Sequence, residues 1–166
     1  MSIQEIEPFS FASSKQLLFG DVLVGSLLRL REECMDDSGA IHWKVQGGSH
    51  ASGHPELALE VSGTVRLICQ RCLKAFDFDL ESSSVLVIAR NEQNADEIDA
   101  MLRDDDVDVV VGVGVMSIME LVEDEALLCI PQAPKHVECS PQQPASVFED
   151  APLALSPFAF LKKDRH

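Results

Sequence analysis

Basic side chains are scarce in this chain: 13 Lys and Arg stand against 28 Asp and Glu among 166 residues, a net charge of −15. A surface this acidic repels a phosphate backbone, because non-specific nucleic-acid binding is largely counterion release by Lys and Arg. Direct contact with RNA therefore needs a local basic patch, and a basic protein partner suits the bulk charge better. Long apolar runs are also missing. The longest, Val109 to Met116, has eight residues and includes Gly112 and Gly114, far short of the roughly 20 needed to span a bilayer. The first residues, Met1 to Glu7, are acidic and lack a charged segment followed by an apolar one, so no secretory signal is expected. Cysteine is present only as five residues at irregular spacing, which argues against a secreted disulfide framework. The expectation is a soluble cytoplasmic protein with reduced thiols and no membrane contact. No Ser–His–Asp ordering, H-E-x-x-H or phosphate-binding G-x-x-x-x-G-K-[ST] loop occurs. Nothing in the chain argues for catalysis.

What the chain does have is enough apolar material for one core, 46% of residues, at a length that suits a single domain. The strongest pattern is alternation. Leu57, Leu59, Val61, Val65, Leu67 and Cys69 share one parity, with Glu60, Ser62, Thr64, Arg66 and Gln70 on the other. That period of two belongs to a half-buried strand, with Gly63 expected as a bulge or bend. Phe76, Phe78 and Leu80 alternate with Asp77, Asp79 and Glu81, and the run continues through Val85 to Ile88. The two stretches predict a long antiparallel hairpin with Cys69-Gln-Arg-Cys72 at its tip. Ahead of it, Ile41 to Val45 reads as a short strand. Asp36 to Gly39 reads as a turn, Gly47 to Pro55 as a loop, and Ser13 to Cys34 as two short helices divided near Gly20-Asp21.

Beyond the hairpin, Asn91 to Asp108 is acidic and reads as a solvated loop around a short helix near Ile98, Met101 and Leu102. A calcium loop is excluded, because it needs a glycine at position six and a glutamate at twelve. Val107 to Val111 reads as β. Gly112-Val113-Gly114 is a linker, since Ser117 stands where a dinucleotide fingerprint wants its third glycine. Ser117 and Glu120 form a capping-box pattern that predicts a helix to Cys129, stopped by Pro131 and Pro134. Its acidic residues Glu120, Glu123, Asp124 and Glu125 read as a solvated face. The fold class expected is α+β: an antiparallel sheet built on the long hairpin, a few packed helices, and a proline-rich C-terminal tail. The domain spans 1–130, and the tail, 131–166, docks on it or on a partner through Phe158, Phe160 and Leu161.

The chemistry lies with the cysteine pair. Two thiols three positions apart chelate a metal, close a disulfide ring, or simply pin two strands. Zinc needs four ligands, and the best remaining pair is His136 and Cys139 in Lys135-His136-Val137-Glu138-Cys139. Read from the residues, the pair is a reduced thiol turn with no resident cofactor. A Cys69, Cys72, His136, Cys139 zinc site and a thiol oxidoreductase stand as alternatives, the latter with Arg71 and Lys74 lowering a thiolate pKa. Arg66, Arg71 and Lys74 also form a small basic cluster at the tip, a candidate contact for RNA or an acidic protein.

Three segments taken in order carry a family resemblance. They are Cys69-Gln-Arg-Cys72 followed by Phe76, Leu121-Val-Glu-Asp-Glu125 running into Pro131 and Pro134, and Pro157-Phe158-Ala159 with Leu161. Together they resemble the YceD family, the large ribosomal RNA subunit accumulation proteins, over nearly the whole chain. The resemblance implies a non-catalytic role in synthesis, processing or stability of 23S rRNA, and so in assembly of the large subunit. It carries no active site. Some relatives have a further cysteine pair after the proline stretch; this chain keeps only His136 and Cys139 there. The partner expected is a ribosomal or rRNA-processing protein, with 23S rRNA reached through the basic patch.

Overall fold

The computed structural model describes residues 5–102 and 107–139. The alternating segments build a five-stranded sheet in the order β2-β3-β4-β5-β6: β2 Leu17–Leu23, β3 Ala40–Ser49, β4 Pro55–Ile68, β5 Ala75–Ala89 and β6 Val107–Val111. The first four strands pair antiparallel and β6 joins β5 in parallel, which makes an α+β fold. A two-stranded ladder of β1 (Glu5–Ile6) and β7 (Met116–Ser117) sits apart from it. The helices are α1 Pro8–Ser13, α2 Leu28–Glu33, α3 Glu92–Leu102 and α4 Ile118–Cys129. Among the described residues no helix is long and apolar enough to cross a membrane.

Parity decides which face is buried. Ile41, Val45, Leu57, Leu59, Val61, Val65, Leu67 and Leu80 point to one side, where α2 and α4 cover them with Leu30, Ile118, Val122 and Ala126. The end of β5 is different. Val87 and Ala89 are buried on the opposite face against Ile98 of α3. The unbroken apolar run Val85 to Ala89 follows from this, because a strand covered on both sides loses its alternation. The acidic 91–108 region therefore holds an eleven-residue helix with a working apolar face, longer than the short helix expected from sequence near Ile98, Met101 and Leu102.

Three sequence expectations are corrected. Residues 17–23 form an edge strand, not a helix. Val22 and Val24 are buried while Leu23 is exposed, a period of two that Gly20 and the leucines had obscured. Gly47 and Gly48 belong to β3, so the loop shrinks to about residues 50–54. Gly63 makes no bulge: it stays in register between Ile41 and Leu80. Its lack of a side chain serves close approach instead, since a Cβ there would stand 2.5 Å from the Ala40 carbonyl oxygen.

Two carboxylates of α4 are also placed differently from the sequence reading. Glu123 and Glu125 are each 8% exposed. Glu123 Oε1 accepts the backbone N–H groups of Arg29 and Leu30 at 2.7 and 3.1 Å, capping the first turn of α2, which lacks a side-chain cap of its own. Arg29 completes the link through Glu123 at 3.0 Å and Asp124 at 2.6 Å. Glu125 accepts hydrogen bonds from the hydroxyls of Ser82 and Ser84, two inward-facing positions of β5. A buried carboxylate is tolerable when its oxygens are met in this way.

Candidate metal centre at the hairpin tip

The β4–β5 ladder brings Ile68 opposite Ala75, leaving residues 69–74 to turn the chain. The turn is tight. Cys69 N–H donates to the Lys74 carbonyl at 2.9 Å and Leu73 N–H to the Cys69 carbonyl at 2.8 Å. Leu73 occupies the left-handed region, with φ 59, a conformation that costs a non-glycine residue about 1–2 kcal/mol. Both sulfurs are thereby drawn inward, with Cys69 and Cys72 at 0% and 3% exposure.

Residues beyond α4 come back to meet them. Gln70 N–H donates to the Pro134 carbonyl at 2.9 Å, and Pro134 is buried. The His136 ring lies 5.5 Å from that of Phe76, which in turn meets Phe78 edge-on at 6.4 Å. Cys139 Sγ stands 3.8 Å from Cys69 Sγ, and His136 Nε2 stands 3.7 Å from Cys72 Sγ. All four potential ligand atoms lie within 4.8 Å of one another. Tetrahedral zinc, with Zn–S about 2.3 Å and Zn–N about 2.0–2.1 Å, separates its ligand atoms by roughly 3.5–3.8 Å. The Cys69–Cys139 and Cys72–His136 pairs match that spacing. His136 Nδ1 is buried without a hydrogen-bond partner among the described residues.

The electrostatics of the four differ. Burial works against ionisation of Cys69, but backbone N–H groups of Arg71, Cys72 and His136, with the Cys72 side chain, together bring its thiol down to about 6. Burial raises Cys139, and the neighbouring Cys69 adds to the effect. The remaining cysteines are unlike these: burial, with Asp36, Glu33 and Asp37 nearby, pushes Cys34 up to about 11, and burial also raises Cys129. Only the tip offers a thiolate near neutral pH together with three further donors.

The basic cluster is smaller than its sequence suggests. Arg66 faces Asp36 at 3.0 Å and Asp77 at 3.6 Å, so local carboxylates take up its charge. Arg71 and Lys74 are exposed on the turn itself. Phe158, Phe160 and Leu161 lie outside the described residues. Sequence reasoning missed Glu123 and Glu125. Glu125 had a signal: with Ile118, Val122, Ala126 and Cys129 it occupies the i, i+4, i+7, i+8, i+11 face of α4, opposite the serines that interrupt the apolar parity of β5.

Fold and site together define an α+β domain whose central hairpin ends in a cysteine and histidine cluster closed by the segment after α4. Residues 57–155, more than half of the chain, match the family model described as Large ribosomal RNA subunit accumulation protein YceD. The chain belongs to that family. The matched span takes in the hairpin from Leu57 onward, its tip and all four clustered side chains. No curated protein and no solved structure matches the chain.

Proposed function

We propose that this protein is a non-catalytic factor supporting accumulation of the large-subunit (23S) rRNA, and that a zinc ion on Cys69, Cys72, His136 and Cys139 ties its hairpin tip to the segment after α4. The family supports the first part of this reading. The convergence of three sulfurs and one imidazole nitrogen within 4.8 Å carries the second. A closed Cys3His set leaves zinc no open position, so the metal supplies folding energy and shape, not Lewis-acid chemistry. It fixes the exposed Arg71 and Lys74 on a rigid turn, where they can meet a ribosomal or rRNA-processing protein or the rRNA itself. The test is the ratio of large- to small-subunit rRNA in cells depleted of the protein. Wild type restores it, and a Cys72→Ser, His136→Ala variant does not. Full restoration by the variant contradicts the role given to the metal. No effect of depletion itself contradicts the function.

The lowered Cys69 thiol favours one second reading, a thiol oxidoreductase using Cys69 and Cys72. Both sulfurs are enclosed, whereas disulfide exchange needs an approachable thiolate. Insulin reduction by the purified protein, abolished by serine at both positions, would favour the enzyme.

A further inference from the structure

The far end of the sheet carries a second feature, separated from the cysteine tip by the length of β4, about 45 Å at roughly 3.3 Å per residue. There the α1–β2 turn, the β3–β4 turn and the junction of β5 with α3 enclose a cleft of about 660 Å³ that continues into one of about 490 Å³. The two share Phe9, Gly53, Pro55 and Arg90. Lys15 stands at one end, and His54 and Asn94 at the other.

Its charge is unlike the rest of the molecule. Among the described residues no Asp or Glu lines either part, in a chain where 28 of 166 residues are acidic. Two carboxylates stand at the rim: a Glu56 oxygen lies over Gly48, and Glu7 accepts the Phe9 backbone N–H at 3.3 Å. Arg29, Arg31, Lys44 and Arg66 all make ion pairs. Lys15 and Arg90 make none with the described residues, and both are exposed. Phe9 forms a half-buried aromatic wall beside them; a Cβ on Gly112 would stand 3.2 Å from its ring, so that ring is backed from behind. Gly53 leaves the floor open: nothing lies within 4 Å of where its Cβ would be.

Two uncommitted cations flanking an aromatic face, in a groove wider than one phosphate, are the parts that hold a single-stranded nucleic acid: charge for the backbone and a ring for a base. We infer that this cleft binds single-stranded RNA, with Lys15 and Arg90 on successive phosphates and a base on Phe9. The inference rests on the rRNA role proposed above and gives the protein a direct RNA contact away from its hairpin tip. Two phosphate contacts give the binding a log–log salt slope of about −1.4, at about 0.7 per contact on a single strand.

The experiment is fluorescence anisotropy of the full chain with a labelled single-stranded oligouridylate across a salt series, set against duplex RNA and polyglutamate. Wild type should bind the single strand in preference to both. Lys15→Gln with Arg90→Gln should weaken binding at least tenfold and flatten the log–log salt slope by about 1.4, at about 0.7 per lost phosphate contact. Lys15→Arg with Arg90→Lys should retain binding, and Lys44→Gln, whose cation is already paired with Glu60 away from the cleft, should leave the slope unchanged. Ultraviolet cross-linking of the bound oligonucleotide to the peptide holding Phe9 gives a readout that needs no variant to fold. Absence of binding at low salt, an unchanged slope in the glutamine variant, or equal capture of polyglutamate overturns the inference. If RNA binding fails while wild type still restores large-subunit rRNA in depleted cells, only this inference falls. If wild type fails to restore it, the proposed function falls instead.

Discussion

Cys139 Sγ lies 3.8 Å from Cys69 Sγ across 70 residues of chain, a separation that matches two ligands of one tetrahedral zinc ion and not a disulfide, whose sulfurs stand about 2.0 Å apart. That contact joins the tip of the hairpin to the end of the described chain. It turns a short thiol turn into the closing point of the domain.

In metal-free protein the Cys69 thiol should titrate well below its ordinary 9.0. Thiolate ultraviolet absorbance is expected to show one group with a midpoint of about 6, lost in Cys69→Ser, and none from Cys34 until about 11. Because the folded value of Cys69 lies below its ordinary 9.0, ionisation adds stability that is complete above about pH 9 and lost as pH falls through 6. A first midpoint near 9 would contradict the hydrogen-bonded thiolate.

Glu123→Ala should destabilise the fold by about 2–3 kcal/mol in urea titration, because it leaves the Arg29 and Leu30 N–H groups without their acceptor and Leu30 is wholly buried. Glu123→Gln, which keeps an acceptor oxygen, should cost less. A loss below about 0.5 kcal/mol for alanine, the usual range for a surface position, would place the carboxylate on the solvated face after all.

Gly63→Ala should cost roughly 2 kcal/mol or more, since the new methyl meets the Ala40 carbonyl oxygen at 2.5 Å and Ile41 Cδ1 at 2.9 Å. Thermal melting decides it. A tolerated alanine would mean that the strand relaxes into the bulge the glycine first suggested.

Leu73→Gly should be neutral or stabilising by up to about 1 kcal/mol, an unusual direction for glycine. It relieves the left-handed conformation at φ 59 while giving up a side chain that is 69% exposed. A clear loss of stability would assign the leucine a packing role at the tip.

The hairpin was legible because Leu57 to Leu67 and Phe76 to Leu80 alternate cleanly on one exposed and one buried face. The last helix was legible because Ser117 caps it, accepting the Glu120 N–H, and Pro131 stops it. The edge strand β2 was not, because leucine at Leu17, Leu18 and Leu23 suits a helix as well as a half-exposed edge, and the pairing with β3 that decides the matter is long-range. The four-ligand cluster was nameable only as one combination among several. Nothing in the spacing of Cys72 and His136, 64 positions apart, says that the chain between them folds back on itself. Glu123 escaped for the same reason: its partners, Arg29 and Leu30, lie more than 90 residues away.

The most direct test of the account is metal analysis of reduced protein purified without chelator, by plasma mass spectrometry. The account predicts one zinc ion per chain, lost together with thermal stability in a Cys72→Ser, His136→Ala variant. Folded wild-type protein that holds no zinc, and takes up none when zinc is supplied, would contradict it.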